Sequence, residues 1–285
     1  MVDVAFGLIA ALCWGVADFL AKQWGERYGV LTAVLFQHVF SVLALLPFLP
    51  LVPSLEGALM RAALAAVAVG LVSPVAYWLL YSSLATGKLS INSPVASSGA
   101  AFSVLLSLLI LRERPGGIAI VGMAVLISGV MLINFRLEEG SDRVVWKLSQ
   151  SIVKALGAAV LLGLLNFLIP VMLKPLGAIG AVLLVRFSGS VLLIAVKRLD
   201  GRALPALQAK IWTPLLLLSV LDAVGFLAYF VSTTANFVSI GAALSGAFAA
   251  VSAVLGWVIL RERATLLQHL SVVMIVAGVV TLSLP

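Results

Sequence analysis

Residues 110–114, Ile110-Leu111-Arg112-Glu113-Arg114, recur as Ile259-Leu260-Arg261-Glu262-Arg263, 149 positions further along the chain. Further residues match at nearly the same separation: Ser90 with Ser239, Tyr77 with Phe226, Tyr81 with Phe230 and Gly129 with Gly278 at 149 positions, and Gly15 with Gly163 and Asp18 with Asn166 at 148. A series of matches at a nearly constant offset predicts an internal duplication.

The duplication divides the 285-residue chain near its midpoint. We expect a first repeat over residues 1–138, a polar linker over residues 139–150 and a second repeat over residues 151–285. The connection around this linker contains both acidic and basic residues, and this charged composition distinguishes it from the apolar sequence on both sides.

The composition is that of a membrane protein. Apolar residues make up 63% of the chain, charged residues only 10%, and the mean hydropathy is +1.22. Soluble proteins have roughly 45–50% apolar and about 25% charged residues. Cys13 is the single cysteine, which excludes a disulfide scaffold, and the apolar excess excludes a disordered chain.

Ten apolar runs have the length needed to cross a bilayer, about 20 residues each. They cover residues 4–23, 30–50, 59–82, 89–111, 116–135, 151–173, 178–197, 212–235, 239–260 and 265–283. Five spans in each repeat mean that the second copy enters the membrane in the opposite sense. The sequence therefore predicts an all-α polytopic membrane protein with ten transmembrane helices as two inverted five-helix repeats. Such repeats are typical of transporters with a substrate site near the midplane.

The net charge of +7 comes from residues between the apolar runs. We interpret it as a determinant of topology and a contact with lipid headgroups rather than as a site for nucleic acid. Most lysines and arginines follow the odd-numbered spans, which places both termini outside the cell. We expect a multi-pass protein of the plasma membrane of a prokaryotic cell, and leave a homodimer open.

Four ionisable residues are clear cases at membrane depth within the predicted spans, namely Asp18, His38, Arg186 and Asp222. Charges at this depth are costly and usually face a cavity or each other. Neighbouring spans allow the pairs Arg186–Asp222 and Asp18–His38. One interpretation is that these pairs only neutralise each other. The other is proton coupling or gating, because a buried carboxylate or a histidine can bind and release a proton.

Polar and aromatic residues on the same spans form a candidate substrate site: Trp14, Tyr77, Trp78, Tyr81, Asn92, Asn166, Phe226, Tyr229 and Ser245. Tyr77 and Tyr81 share a helix face because they are four residues apart. Ordinary packing between helices is the alternative interpretation. Asn92-Ser93-Pro94 also resembles a helix start, with a capping side chain ahead of a proline.

The sequence lacks the motifs of several other chemistries. It contains no phosphate-binding Gly-Lys-Ser/Thr loop for ATP-driven transport and no Gly-x-Ser-x-Gly motif of a hydrolase. With two histidines, His38 and His269, and one cysteine, we predict no metal site and no cofactor.

Together these features resemble the EamA-type transporters of the drug/metabolite transporter superfamily. The resemblance rests on Trp14-Gly15 and Asp18 in the first span, on Arg-Glu-Arg after spans four and nine, and on a five-plus-five repeat over the whole chain. It implies a secondary carrier, often an exporter of amino acids or related metabolites, that works by alternating access. Such proteins commonly have an arginine in the second span of each repeat, where this chain has His38 and Arg186. They are usually drawn with cytoplasmic termini, against the charge distribution here.

The function predicted from the sequence is therefore transport of small metabolites, with export and proton coupling as the expected mode. Its partners would be a small-molecule solute and the surrounding lipids. Translocation of a lipid-linked substrate is an alternative, and an intramembrane enzyme or an assembly protein is another.

Overall fold

The computed structural model describes residues 2–52, 58–132, 149–201, 209–235 and 237–282, which form helices and no strand. The first repeat contains α1 (Val2–Tyr28), α2 (Val30–Leu45), α3 (Ala58–Thr86), α4 (Leu89–Ser97), α5 (Gly99–Ile110) and α6 (Gly117–Leu132). The second contains α7 (Gln150–Met172), α8 (Gly177–Asp200), α9 (Ala209–Ala235), α10 (Val238–Ser245), α11 (Phe248–Val258) and α12 (Leu266–Leu282). Short 3-10 helices cover Leu46–Leu51 and Lys174–Leu176. Most of the predicted linker, residues 139–148, lies outside the described residues.

Eight segments of the described chain are helical, long and apolar enough to cross a membrane. Two of these segments, Leu89–Ile110 and Val238–Val258, each combine two consecutive helices. The shorter apolar helices Gly117–Leu132 and Leu266–Leu282 supply the remaining two of the ten predicted spans. The predicted fold class, a polytopic all-α membrane protein, is confirmed.

The fourth and ninth spans are each interrupted at equivalent positions. The break between α4 and α5 falls at Ser98, and the break between α10 and α11 falls at Gly246 and Ala247. At the first break the hydroxyl of Ser98 donates to the carbonyl of Val95 at 2.7 Å. Side chains that bond back to the helix backbone in this way bend helices. Since α4 begins at Leu89, the Asn92-Ser93-Pro94 sequence lies inside α4 and does not start it.

The two repeats exchange helices when they pack. Helix α1 packs mainly against α9, and its counterpart α7 packs in the same way against α3. Helix α1 also contacts α10 and α11, while α7 contacts α4 and α5. Each repeat therefore contributes its first helix to a group formed mostly by the other repeat. We call α1, α9, α10 and α11 the first helix group, and α7, α3, α4 and α5 the second.

Two equivalent glycines allow the first helix of each repeat to approach closely. A Cβ atom on Gly163 of α7 would lie 2.5 Å from the carbonyl oxygen of Gly99. A Cβ atom on Gly15 of α1 would lie 2.5 Å from the Cβ of Val251. Both distances are shorter than van der Waals contact allows, so small residues are required at these crossings.

Candidate functional site

A small cavity lies between the two helix groups. Its volume is about 40 Å³, enough for about three water molecules. The lining residues come from both repeats: Trp14, Ala17, Asp18, Tyr77, Leu80, Tyr81, Ala96, Ser97, Gly99, Ala100, Leu162, Asn166, Asp222, Phe226, Ser245 and Phe248. Small residues where the fourth and ninth spans bend let these helices reach the centre.

Eight of the thirteen predicted site residues line this cavity, namely Trp14, Asp18, Tyr77, Tyr81, Asn166, Asp222, Phe226 and Ser245. They come from five different helices that are distant in sequence. The structure therefore brings together most of the candidate site, with Trp14 and Asp18 one helical turn apart on α1 and Asp222 and Phe226 one turn apart on α9.

The predicted pair Arg186–Asp222 is present and buried, with side-chain exposures of 1% and 2%. A tyrosine from the other helix group completes this contact. The Tyr77 hydroxyl accepts from Nη2 of Arg186 at 2.8 Å and donates to Oδ1 of Asp222 at 2.9 Å. Oδ2 of Asp222 binds the same guanidinium group. Both carboxylate oxygens of Asp222 thus have partners, and the charges of this pair cancel.

The predicted pair Asp18–His38 is wrong, because His38 contacts Arg186 instead. Nη1 of Arg186 donates to Nε2 of His38 at 3.2 Å, while Nδ1 of His38 lies 3.0 Å from the carbonyl oxygen of Val34. A carbonyl can only accept and a guanidinium can only donate, so this arrangement fits a neutral ring with its proton on Nδ1. His38 and Arg186 occupy equivalent positions of the two repeats, and α2 packs directly against α8.

Asp18 has a different environment from that of Asp222. Its side chain is buried, with 5% exposure, and its Oδ2 accepts a hydrogen bond of 2.5 Å from the Ser93 hydroxyl. Among the described residues, no lysine, arginine or histidine forms an ion pair with it. Asp18 is consequently a cavity-lining carboxylate without a basic partner from the described part of the chain.

Aromatic rings line the same cavity as both carboxylates. The Arg186 guanidinium lies 4.6 Å from the ring centre of Tyr77 and 4.9 Å from that of Phe226. The indole of Trp14 packs edge-on against Phe226 at 5.4 Å and against Phe248 at 6.3 Å between ring centres. Tyr81 packs against Tyr77 at 5.8 Å. Ring faces attract cations, so this cavity combines negative charge with surfaces suited to a positive group.

Five predicted residues lie away from the cavity lining. His38 and Arg186 are behind it. Trp78 is 42% exposed on the outer surface, with its ring 5.9 Å from Nζ of Lys154. The Asn92 side chain donates to the carbonyl of Ser83 at 2.5 Å. The hydroxyl of Tyr229 donates to the backbone carbonyl of Asn166 at 2.7 Å, so Tyr229 joins the two helix groups.

The Arg-Glu-Arg sequences form reciprocal contacts between the repeats. Glu113 accepts from the backbone amides of Val238 and Ser239 at 2.8 and 3.0 Å. Glu262 accepts in the same way from Leu89 and Ser90, both at 2.9 Å. Each carboxylate caps the first turn of a helix in the other repeat, where free amides and the helix dipole favour negative charge. We call these contacts the Glu113 cap and the Glu262 cap.

The caps also involve an unusual backbone conformation. The residue before each glutamate has a positive φ, 53° at Arg112 and 54° at Arg261. Residues other than glycine rarely adopt this left-handed conformation, which costs of order 1–3 kcal/mol. Its presence at two equivalent positions indicates that the turn is held to place the glutamate.

Sequence reasoning missed several residues of this arrangement, including Ser93, Leu162, Phe248 and both cap glutamates. The repeat offset was a usable signal for some of them. Leu162 stands 148 positions after Trp14, and Phe248 stands 149 positions after Gly99. The role of the glutamates required knowing which helix starts lie beside them.

The described residues contain no group of three or more His, Cys, Asp or Glu side chains arranged as a metal site. The fold and the site define a membrane protein of two inverted repeats with a polar and aromatic cavity at their interface. This is the architecture of a carrier of small solutes in a lipid environment.

The chain matches the family model described as EamA-like transporter family twice, over residues 2–135 and 150–284. It therefore belongs to the EamA-like transporter family, which confirms the resemblance read from the sequence. This is a family of transporters rather than of enzymes, and its members are integral multi-pass membrane proteins.

Two further similarities extend this result. An uncharacterized protein of Methanocaldococcus jannaschii is 30% identical over 134 residues, which cover 46% of this chain and 95% of that protein. The relative is thus about as long as one repeat. A solved structure titled only "Crystal structure of protein" is similar over 98% of this chain and 95% of its own, with a TM-score of 0.71 at 15% identity. At that identity the similarity shows the fold alone.

Proposed function

We propose that the protein is a secondary transporter that exports small metabolites across the plasma membrane of a prokaryotic cell by alternating access, coupled to protons. The observation that carries this proposal is the position of Asp18, a carboxylate without a basic partner among the described residues, in a cavity formed by both repeats. A soluble cofactor or an energy-supplying nucleotide has no role in this scheme.

The small volume of the cavity supports a conformational cycle. A cavity of about 40 Å³ has no room for a metabolite, so the two helix groups have to separate for binding and release. Glu113 caps the start of the ninth span and Glu262 caps the start of the fourth span. Because an odd-numbered and an even-numbered span begin at opposite membrane faces, the two caps would lie at opposite faces. Opening toward one face would release one cap while the other keeps the helix groups together.

The contacts of the two carboxylates favour Asp18 as the coupling residue. Asp222 is held by Arg186 and Tyr77, so its charge is already compensated. Among the described residues, the hydrogen-bond donor to the Asp18 side chain is the Ser93 hydroxyl. Gain of a proton by Asp18 would remove an uncompensated charge from the membrane interior, where charge is expensive. Binding of a proton at this position would therefore bias the conformational equilibrium.

The test is solute flux in proteoliposomes, with a panel of labelled amino acids, amines and related metabolites, with and without an imposed pH gradient. We expect flux that the gradient stimulates, and loss of that stimulation in Asp18→Asn. Glu26→Gln is the matched control, because it removes a carboxylate of the same helix whose side chain is 47% exposed and paired with Lys22. Gradient-stimulated flux that survives in Asp18→Asn would contradict the coupling role, and absence of any flux would contradict the transport proposal.

A further inference from the structure

We infer that the cavity binds organic cations, with the ammonium group of the substrate beside Asp18 and its apolar part against the aromatic rings. This inference rests on the proposed transport function and names its substrate class. It narrows the expectation of amino acids, because a zwitterion would bring a carboxylate that this cavity does not accommodate.

The first argument is the balance of charge. The carboxylates of Asp18 and Asp222 both line the cavity, whereas neither Arg186 nor any other described basic side chain does. The guanidinium of Arg186 forms an ion pair with Asp222 and hydrogen bonds with Tyr77 and His38, outside the cavity lining. One negative charge, that of Asp18, is left without compensation by the described residues. A monovalent cation supplies the missing charge, whereas an anion adds a further negative charge and a zwitterion brings an anionic group together with its ammonium.

The second argument is a comparison within the site. Beside Asp222, the protein's own cation is held by a carboxylate and by two ring faces, those of Tyr77 and Phe226 at 4.6 and 4.9 Å. Asp18 lines the same cavity as Trp14, which is one helical turn away on α1, and as Tyr81. A carboxylate and aromatic residues are therefore present on the Asp18 side of the site as well, where no described residue supplies the cation.

The third argument is the state of the Asp18 side chain. Its Oδ2 has one hydroxyl donor and its burial leaves 5% exposure. A carboxylate ion buried with a single neutral hydrogen bond is costly, and a substrate ammonium would supply the charge-assisted bonds that stabilise it. Ring faces of Trp and Tyr contribute further attraction to a desolvated cation.

The decisive experiment measures binding of three compounds with one phenyl ring and different charge. Phenethylamine is a cation, N-acetylphenethylamine is neutral and phenylalanine is a zwitterion at neutral pH. Titration of the purified full-length protein in lipid nanodiscs gives the three dissociation constants. We expect phenethylamine to bind at least about tenfold more tightly than the other two, as for loss of a charged hydrogen bond. Equal or tighter binding of phenylalanine or of the acetylated compound, or no binding of phenethylamine, would overturn the inference.

Variants then assign the preference to Asp18. Asp18→Asn should weaken phenethylamine binding about tenfold or more, Asp18→Glu should keep the order of the three compounds, and Glu26→Gln should bind like the unmodified protein. Unchanged phenethylamine binding in Asp18→Asn would overturn the role of Asp18. The order measured on the unmodified protein decides the substrate class even where a variant fails to fold.

Binding and flux separate this inference from the proposed function. Tight, Asp18-dependent binding of phenethylamine without gradient-driven flux would support the cation site and contradict coupled transport. Gradient-driven flux of phenylalanine without phenethylamine binding would support the transporter and overturn the cation site.

Discussion

The two ends of the molecule, where the Glu113 and Glu262 caps lie, have equivalent contacts in the two repeats, whereas its centre does not. At the ends, the Glu113 cap and the Glu262 cap have amide-to-carboxylate distances of 2.8–3.0 Å and 2.9 Å, and preceding φ angles of 53° and 54°. At the centre, equivalent positions hold different residues: His38 and Arg186, Ser73 and Asp222, Asp18 and Asn166, Tyr77 and Phe226.

The proposed alternating-access cycle gives this difference a meaning. In that cycle, equivalent contacts at both ends would let the same kind of movement open either face. At the centre, one repeat supplies the carboxylate of Asp18 and the other supplies the amide of Asn166. We therefore propose that the duplicated contacts serve the movement and that the divergent central residues serve recognition of the substrate.

Breaking the centre should have the largest effect on stability. Arg186→Gln leaves Asp222 buried without a counter-ion, and removal of one partner of a buried pair costs about 3–5 kcal/mol. We expect a loss of that size in the free energy of unfolding, measured by chemical denaturation in detergent micelles.

The double variant Arg186→Gln/Asp222→Asn provides the control for this effect. It removes both charges, so it should lose less stability than Arg186→Gln alone. The single variant Asp222→Asn is measured as well. If the double variant loses as much free energy of unfolding as Arg186→Gln and Asp222→Asn added together, Arg186 and Asp222 stabilise the protein independently.

Removing the caps should have a smaller and equal effect at the two ends. Glu113→Ala and Glu262→Ala each delete a carboxylate bound to two backbone amides, and we expect about 1.5–3 kcal/mol for each. Glu26→Gln, which removes an exposed ion pair with Lys22, should cost about 0–1 kcal/mol. Unfolding of the three variants under the same conditions checks this, and a neutral result at one cap alone would contradict the equivalence of the ends.

Crowding the helix crossings tests whether the two equivalent positions are equally tight. Gly163→Ala drives a methyl group into the backbone of Gly99, and Gly15→Ala drives one against the Cβ of Val251, which is attached directly to the backbone. Overpacking costs about 1–3 kcal/mol, and we expect a loss of this size for each variant. Gly116→Ala is the control, because nothing lies within 4 Å of its added Cβ. Thermal unfolding that finds either variant as stable as Gly116→Ala would contradict the close approach at that crossing.

The sequence predicted those features that depend on one element at a time. Apolar run lengths predicted ten spans, and the cost of buried charge selected Asp18, His38, Arg186 and Asp222. Pairing could be predicted only where consecutive helices meet, as α8 and α9 do for Arg186 and Asp222. Assigning Asp18 to His38 assumed that consecutive helices meet, whereas α1 packs mainly on α9 and α2 meets α8. The glutamate caps could not be predicted for the same reason. Glu113 is 125 residues from the amide of Val238, and Glu262 is 173 residues from the amide of Leu89.

Making the centre more symmetric should have the smallest effect. Ser93 corresponds to Ala242 at the repeat offset, so Ser93→Ala gives the first repeat the residue of the second. The substitution removes the hydroxyl that donates to Asp18 across the helix groups, and with Asp18 protonated a neutral hydrogen bond of this kind contributes about 0.5–1.5 kcal/mol. Ser107→Ala is the matched control, because the Ser107 hydroxyl donates to the Ser103 carbonyl within its own helix and its loss should be nearly neutral. If chemical denaturation finds the two variants equally stable, the hydroxyl of Ser93 does not join the helix groups. Asp18 would then owe its position to the packing of α1 alone, and the asymmetry of the centre would lie in the carboxylate and not in its partner.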